Sequence, residues 1–292
     1  MATTAQWVEG ARPRTLPAST SGVIAGAGAA AALGGFSLWR ALLALVVALA
    51  LQVGVNYAND YSDGIRGTDE NRVGPFRLVG SGSTTPATVK YAAFGSFGVA
   101  AIAGLALVIA TQAWWLLIVG IACIAAAWYY TGGRRPYGYR ALGEVFVFIF
   151  FGPVAVLGTT YVQALRLSWP AIAAAAGIGC YACAILVANN VRDIPTDAQT
   201  GKKTLAVMMG DPASRTLWAV LVGFAHLLGI LLAVILSPWV WFSLIGIPMA
   251  VRAAGPLLAK RSGLELIPTL RDTGLAELLY AVGLGVGLAL SV

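Results

Sequence analysis

Nine stretches of the chain are nearly free of charge: roughly residues 16–35, 39–58, 91–112, 114–131, 142–161, 170–190, 213–236, 238–256 and 273–291. Each approaches the ~20 apolar residues that carry an α-helix across the ~30 Å hydrocarbon layer of a bilayer. Lipid offers no partner for backbone N–H and C=O groups, so runs of this length span as helices. The pattern predicts an all-α integral membrane protein, a bundle of about nine transmembrane helices with the lipid bilayer as its solvent. The segments between the runs are too short for a separate soluble domain, so residues 1–292 read as a single polytopic domain. The first run, "LPASTSGVIAGAGAAAALGG", is built of small residues and lacks a convincing cleavage site. It reads as a closely packed helix rather than a signal peptide.

Composition agrees, with 59% hydrophobic and 11% charged residues, where a soluble domain runs at about 25% charged. Charge placement orients the bundle. If the N-terminus lies on one face, every one of the 19 basic residues except Arg40 and Arg166 falls on that face. By the positive-inside rule that face is cytoplasmic, with the N-terminus inside and the C-terminus outside, in a multi-pass protein of the cell (inner or plasma) membrane. The net charge of +7 is thereby explained by topology, and no nucleic-acid partner is implied. All twelve acids lie at the same face or within a turn or two of it, Glu277 being the deepest. The active site is therefore expected at the cytoplasmic side. Cys123, Cys180 and Cys183 fall in apolar runs and read as packing residues. His226, without Cys, Asp or Glu nearby in sequence, reads as a hydrogen-bonded residue facing the bundle.

Two polar motifs close the second and sixth runs: "NYANDYSDGIRGTDE" from Asn56 and "NNVRDIPTDAQTGKKT" from Asn189. Both emerge at the same face. On a helix Asn56, Asn59, Asp60 and Asp63 occupy positions i, i+3, i+4 and i+7, one stripe. Asn189 and Asp193 share a face likewise, while Pro195 is expected to loosen the helix before Asp197. Carboxylates and amides are hard oxygen ligands suited to Mg²⁺ held between protein and phosphates. Facing clusters of them would be costly next to lipid without cations to fill the site. Arg66, Arg72 and Arg77 follow the first motif, and Arg192, Lys202 and Lys203 surround the second. One such motif alone reads as solvated charges and helix caps; two at equivalent helix ends point to a metal-bridged diphosphate. A third phrase, "YYTGGRRPYGYRALGE" from Tyr129 to Glu144, makes a tight loop on that face. It is either a connector carrying positive-inside arginines or a lid over the site.

"NDYSD" with "RDIPTD" resembles the paired Asp motifs of the UbiA-type intramembrane prenyltransferases. The phrases "ARPRTLPAS", "GPFRLVGSG", "YTGGRRPYGYRALGE", "FGPVAVLGTTYVQ", "LVANNVRDIPTD" and "GKKTLAV" are similar to the menaquinone branch of that family, the 1,4-dihydroxy-2-naphthoate polyprenyltransferases. The resemblance covers nearly the whole chain and departs from the common pattern at Gly67, where a third Asp is usual, with Asp69 two residues on. It implies nine membrane helices, Mg²⁺ as cofactor, and a polyprenyl diphosphate and 1,4-dihydroxy-2-naphthoate as substrates. Asp60, Asp63, Asp193 and Asp197 would hold the metal, with Asn56, Asn59 and Asn189 beside them. Arg134, Arg135, Arg192 and Lys202 would clamp phosphate or the acceptor carboxylate, since Arg matches both geometries. Tyr130 or Glu144 would position the acceptor, and Arg14 either joins the site or, with Arg12, anchors the first helix. The implied reaction replaces the acceptor carboxyl by the prenyl group, giving demethylmenaquinone. The runner-up acceptor is 4-hydroxybenzoate or another aromatic. A transporter would place its charges at mid-membrane, and the CDP-alcohol phosphotransferase pattern D-G-x-x-A-R is not met by "DGIRGTDE".

Overall fold

A computed structural model describes residues 2–67 and 76–291, and a helix occupies each of the nine apolar runs. Asp69 and Arg72 lie outside the described residues. A short α1 (Thr4–Gly10) precedes α2 (Leu16–Ala32), α3 (Leu38–Arg66), α4 (Pro86–Thr111) and α5 (Leu116–Tyr129). The fifth run is composite: α6 (Gly143–Ile149), a π-helical segment Phe150–Leu157, and α7 (Gly158–Ala164). Then follow α8 (Trp169–Gln199), the short α9 (Leu205–Met209), α10 (Asp211–Ile235), α11 (Ile247–Leu258), entered through the 3₁₀ segment Pro238–Gly246, and α12 (Ile267–Ala289). Seven of these stretches are long and apolar enough to cross a membrane, and α5 is a shorter apolar helix. Large side chains such as Ile102, Ile118, Ile121 and Val234 point outward, as they do where the surrounding solvent is lipid.

α3 and α8 run on through their polar motifs, to Arg66 and Gln199, as the helical stripes over residues 56–63 and 189–193 require. At 1.5 Å per residue both exceed the ~30 Å apolar layer, so the motifs ride on helical turns that project beyond it. Gly67, in the left-handed region at φ 71°, ends α3. Pro195 does not loosen α8. A proline in a helix removes one hydrogen bond, and here the last turns are held by the Thr196 hydroxyl on the Asp193 carbonyl and the Thr200 hydroxyl on the Thr196 carbonyl. Pro153 instead falls in the π segment of the fifth run, where the missing N–H accompanies the local widening of the helix.

α8 is the central helix, buried along most of its length against α10, α12, α6 and the π segment. Small residues allow the close approaches, as expected where lipid removes the hydrophobic drive between helices. A Cβ on Gly28 of α2 would stand 2.2 Å from the Gly285 carbonyl oxygen of α12, so any side chain there forces those two helices apart. At the end remote from the motifs, Arg40 donates to the Val162 and Ala110 carbonyls and Arg166 to the Leu33 carbonyl. These two arginines cap helix C-terminal ends, whose last carbonyls lack intrahelical partners. Cys123, Cys180 and Cys183 are free thiols, and His226 is buried with its Nε2 2.7 Å from the Tyr181 hydroxyl.

Candidate active site

The last turns of α3 carry a buried stripe of Asn56, Asn59, Asp60 and Asp63. Their partners differ. Asn56 Nδ2 donates to the Ala11 carbonyl at 2.8 Å and to Thr15 Oγ1 at 3.0 Å, so it ties the N-terminal segment to α3. Asn59 Oδ1 accepts from Thr131 Oγ1 at 2.7 Å. Asp60 accepts two backbone amides, Leu78 N–H at 2.7 Å and Val79 N–H at 3.0 Å. Leu78, fully buried, packs with Tyr57 and Val89, while Val79 lies against Gly64, where a Cβ would leave 2.3 Å. This folded-back strip brings Arg77 alongside the stripe, its Nη2 3.1 Å from Asp63 Oδ2. The other oxygen of Asp63 accepts the Tyr139 hydroxyl at 2.6 Å.

On α8, Arg192 grips its neighbour Asp193 with Nε on Oδ1 at 2.7 Å and Nη2 on Oδ2 at 2.6 Å. The same Nη2 donates to Asn189 Oδ1 at 2.8 Å. One turn on, Asp197 faces the Lys202 ammonium at 3.6 Å. Asp63, Asp193 and Asp197 are all buried, and each has a cationic partner. Pairing of this kind is what allows carboxylates to sit beside an apolar layer at all.

The loop between α5 and α6 joins the two motifs. Arg66 donates to the Thr131 and Gly133 carbonyls, Thr131 holds Asn59, and Tyr139 holds Asp63. On the α8 side the Tyr139 carbonyl accepts the Lys203 amide at 3.2 Å. Tyr137 donates to the Ala126 carbonyl, and burial pushes its hydroxyl above the usual phenol range. An aromatic file of Tyr130, Tyr137, Phe146 and Phe150 descends from this loop, with centroid spacings of 5.4, 4.2 and 6.2 Å. Glu144, buried at the start of α6, accepts Asn190 Nδ2 at 2.9 Å and so faces α8.

The loop thus ties Asn59 and Asp63 of the first motif to the end of α8 that carries Asn189, Arg192, Asp193 and Asp197, with Lys202 just after it. Asp60 and Asn56 also hold structure: each Asp60 oxygen accepts one backbone amide, and Asn56 donates to the Ala11 carbonyl and Thr15 while its Oδ1 accepts from Gln52 Nε2. Arg134 and Arg135 are exposed on the loop, Arg14 is exposed near α2, and among the described residues none of the three enters an ion pair. Thr131 was not singled out by sequence spacing, though it lies in the phrase "YTGGRRPYGYRALGE", while Arg77, expected beside the first motif, contacts Asp63. Among the described residues no three acidic, His or Cys side chains converge on one point as a metal cage. The all-oxygen donor set fits Mg²⁺ nonetheless, because that ion takes one or two carboxylates together with substrate phosphates.

The profile described as the UbiA prenyltransferase family matches residues 20–264, which include both motifs. The chain belongs to the UbiA prenyltransferase family. Its curated relatives include a 1,4-dihydroxy-2-naphthoate octaprenyltransferase of Mycobacterium tuberculosis, 56% identical over 99% of this chain and 98% of that one. The enzyme of the same name from Escherichia coli is 36% identical over 96% of this chain and 95% of its own. Among solved UbiA structures, the apo form of a homolog from Aeropyrum pernix K1 superposes with a TM-score of 0.70 at 14% identity, covering 93% of this chain and 97% of that one. A homolog from Archaeoglobus fulgidus bound to GPP and Mg²⁺ gives 0.67 at 14% identity, over 97% and 99%. At such identities the likeness concerns the UbiA membrane fold.

Proposed function

We propose that this UbiA family protein transfers a polyprenyl group from its diphosphate to 1,4-dihydroxy-2-naphthoate. The C–O bond to diphosphate breaks, a bond from prenyl carbon to ring carbon forms, and the acceptor carboxylate leaves as CO₂, its bonding electrons restoring the aromatic ring. The product stands at the hydroquinone level of demethylmenaquinone, a menaquinone precursor. The observation that carries the reading is that buried carboxylates of both motifs, each beside a cation, are tied to one loop: Tyr139 holds Asp63 by its hydroxyl and the Lys203 amide, just after α8, by its carbonyl. The acceptor rests on the full-length relatives of that name.

Asp60, Asp63, Asp193 and Asp197, with Asn59 and Asn189, would hold Mg²⁺, which would neutralise charge on the departing diphosphate. Arg77, Arg192 and Lys202 stand beside the same carboxylates and supply donors for phosphate oxygens. The file from Tyr130 to Phe150 gives apolar walls that keep water from an allylic cation. Asp60 fixes the strip that delivers Arg77. Arg134 and Arg135, exposed at the loop, are available to the carboxylate of an acceptor arriving from water. The N-terminus and the site face the cytoplasm of a cell whose membrane the bundle spans.

The test is a membrane assay with radiolabelled polyprenyl diphosphate against 1,4-dihydroxy-2-naphthoate and 4-hydroxybenzoate, with and without Mg²⁺. Label should enter a quinone lipid with the naphthoate and Mg²⁺. Transfer to 4-hydroxybenzoate alone would reassign the acceptor, and no transfer to any aromatic acid would reject the activity.

A further inference from the structure

Tyr139 touches both halves of the site with three different groups. Its hydroxyl donates to Asp63 Oδ1 at 2.6 Å, on α3. Its carbonyl accepts the Lys203 amide at 3.2 Å, just after α8. Its ring takes two cations, the Arg66 guanidinium at 5.3 Å and the Lys202 ammonium at 5.3 Å from the centroid. Lys202 is itself the partner of Asp197, so a single side chain joins an acid of the first motif to the cation that serves an acid of the second.

The distances separate two effects. A hydroxyl on Oδ1 and a guanidinium on Oδ2 fix the plane of the Asp63 carboxylate. The ring attracts Lys202 through its quadrupole without neutralising it, so the ammonium keeps its charge for an anion. Neither effect needs Tyr139 to meet the substrate. The local sequence favours a fixed ring, because the 3₁₀ turn Tyr137–Tyr139, preceded by Pro136, presents it from a short and stiff support.

We propose that Tyr139 is a positioning residue that sets the register between the two carboxylate motifs for a metal diphosphate, acting through Asp63 by its hydroxyl and through Lys202 by its ring. The proposal rests on the reading of the two motifs as a diphosphate site.

The test uses the full chain in detergent with an unreactive probe, farnesyl S-thiolodiphosphate, titrated calorimetrically at several MgCl₂ concentrations. Tyr139→Phe keeps the ring and loses the hydroxyl; its Mg²⁺-dependent affinity should fall about tenfold, as for one lost hydrogen bond to a charged group. Tyr139→Leu loses both effects and should fall further, and Lys202→Met should cost less in that background than in the wild type. Thermal unfolding of the Phe variant should match wild type. Asp63→Asn is the control that tells the two readings apart: full Mg²⁺-dependent binding by Asp63→Asn would reject the diphosphate site itself. If Asp63→Asn loses binding while Tyr139→Phe and Tyr139→Leu both bind like wild type, the positioning role is overturned. Equal losses in Phe and Leu would refute the part assigned to the ring.

Discussion

Asp60 and Leu78 meet carboxylate to backbone amide at 2.7 Å, a contact between the end of α3 and a strip of chain eighteen residues on. Three residues later on the same helix, Asp63 meets side chains instead, those of Arg77 and Tyr139. One turn therefore carries two acids with different duties. Asp60→Asn should turn an NH₂ toward an N–H donor and lower stability by about 1–3 kcal/mol, the range for an unsatisfied buried donor. Asp63→Asn, whose partners are side chains, should cost turnover out of proportion to stability. Thermal unfolding beside initial rates checks this, and equal ratios of lost stability to lost rate in the two variants would refute the division.

Metal removal should abolish transfer. With excess chelator the rate should drop to background and return on adding Mg²⁺, and Asp193→Asn should cost ~10²-fold or more, comparable to losing a strong electrostatic contact. Undiminished turnover in chelator would end the metal mechanism.

Arg134 and Arg135 offer their charge to solvent rather than to the carboxylates of α3 or α8. Replacing either with Leu should raise KM for dihydroxynaphthoate far more than for the polyprenyl diphosphate. Lys should rescue in part, since a point charge cannot reproduce the planar fork. A change confined to the diphosphate KM would make them phosphate donors, and no change at all would leave them as topology signals.

Orientation follows from charge. A reporter joined to the C-terminal end should read outside the cell and one inserted near Thr85 inside. The reverse would put the carboxylates on the wrong side for a cytosolic acceptor.

Glu277 of α12 is fully buried, and neither carboxyl oxygen has a hydrogen-bond partner among the described residues. An unsatisfied buried polar group is costly, and an apolar replacement of similar size removes that cost. Glu277→Leu should raise the unfolding temperature and Glu277→Gln should leave it close to wild type. A fall in both would mean that Glu277 has a partner supplied by lipid, water or substrate.

By itself the sequence determined the nine helical apolar runs, the single face expected to carry nearly all charge, and the helical stripes of both motifs. These depend on local regularities: run length against bilayer thickness, and the 3.6-residue period that aligns Asn56 with Asp63 and Asn189 with Asp193. Even so it expected Pro195 to loosen α8 before Asp197, where the helix runs on to Gln199. Only the tertiary structure decided what each acid of the first stripe touches. Asp60 and Asp63 share a face in any helix, but the amides that occupy Asp60 and the guanidinium beside Asp63 come from a strip folded back over α3. Spacing likewise gave no sign that Tyr139, rather than Arg134 or Arg135, reaches the carboxylates. Contacts between residues so far apart in sequence are set by how helices and loops pack, and no local period encodes them.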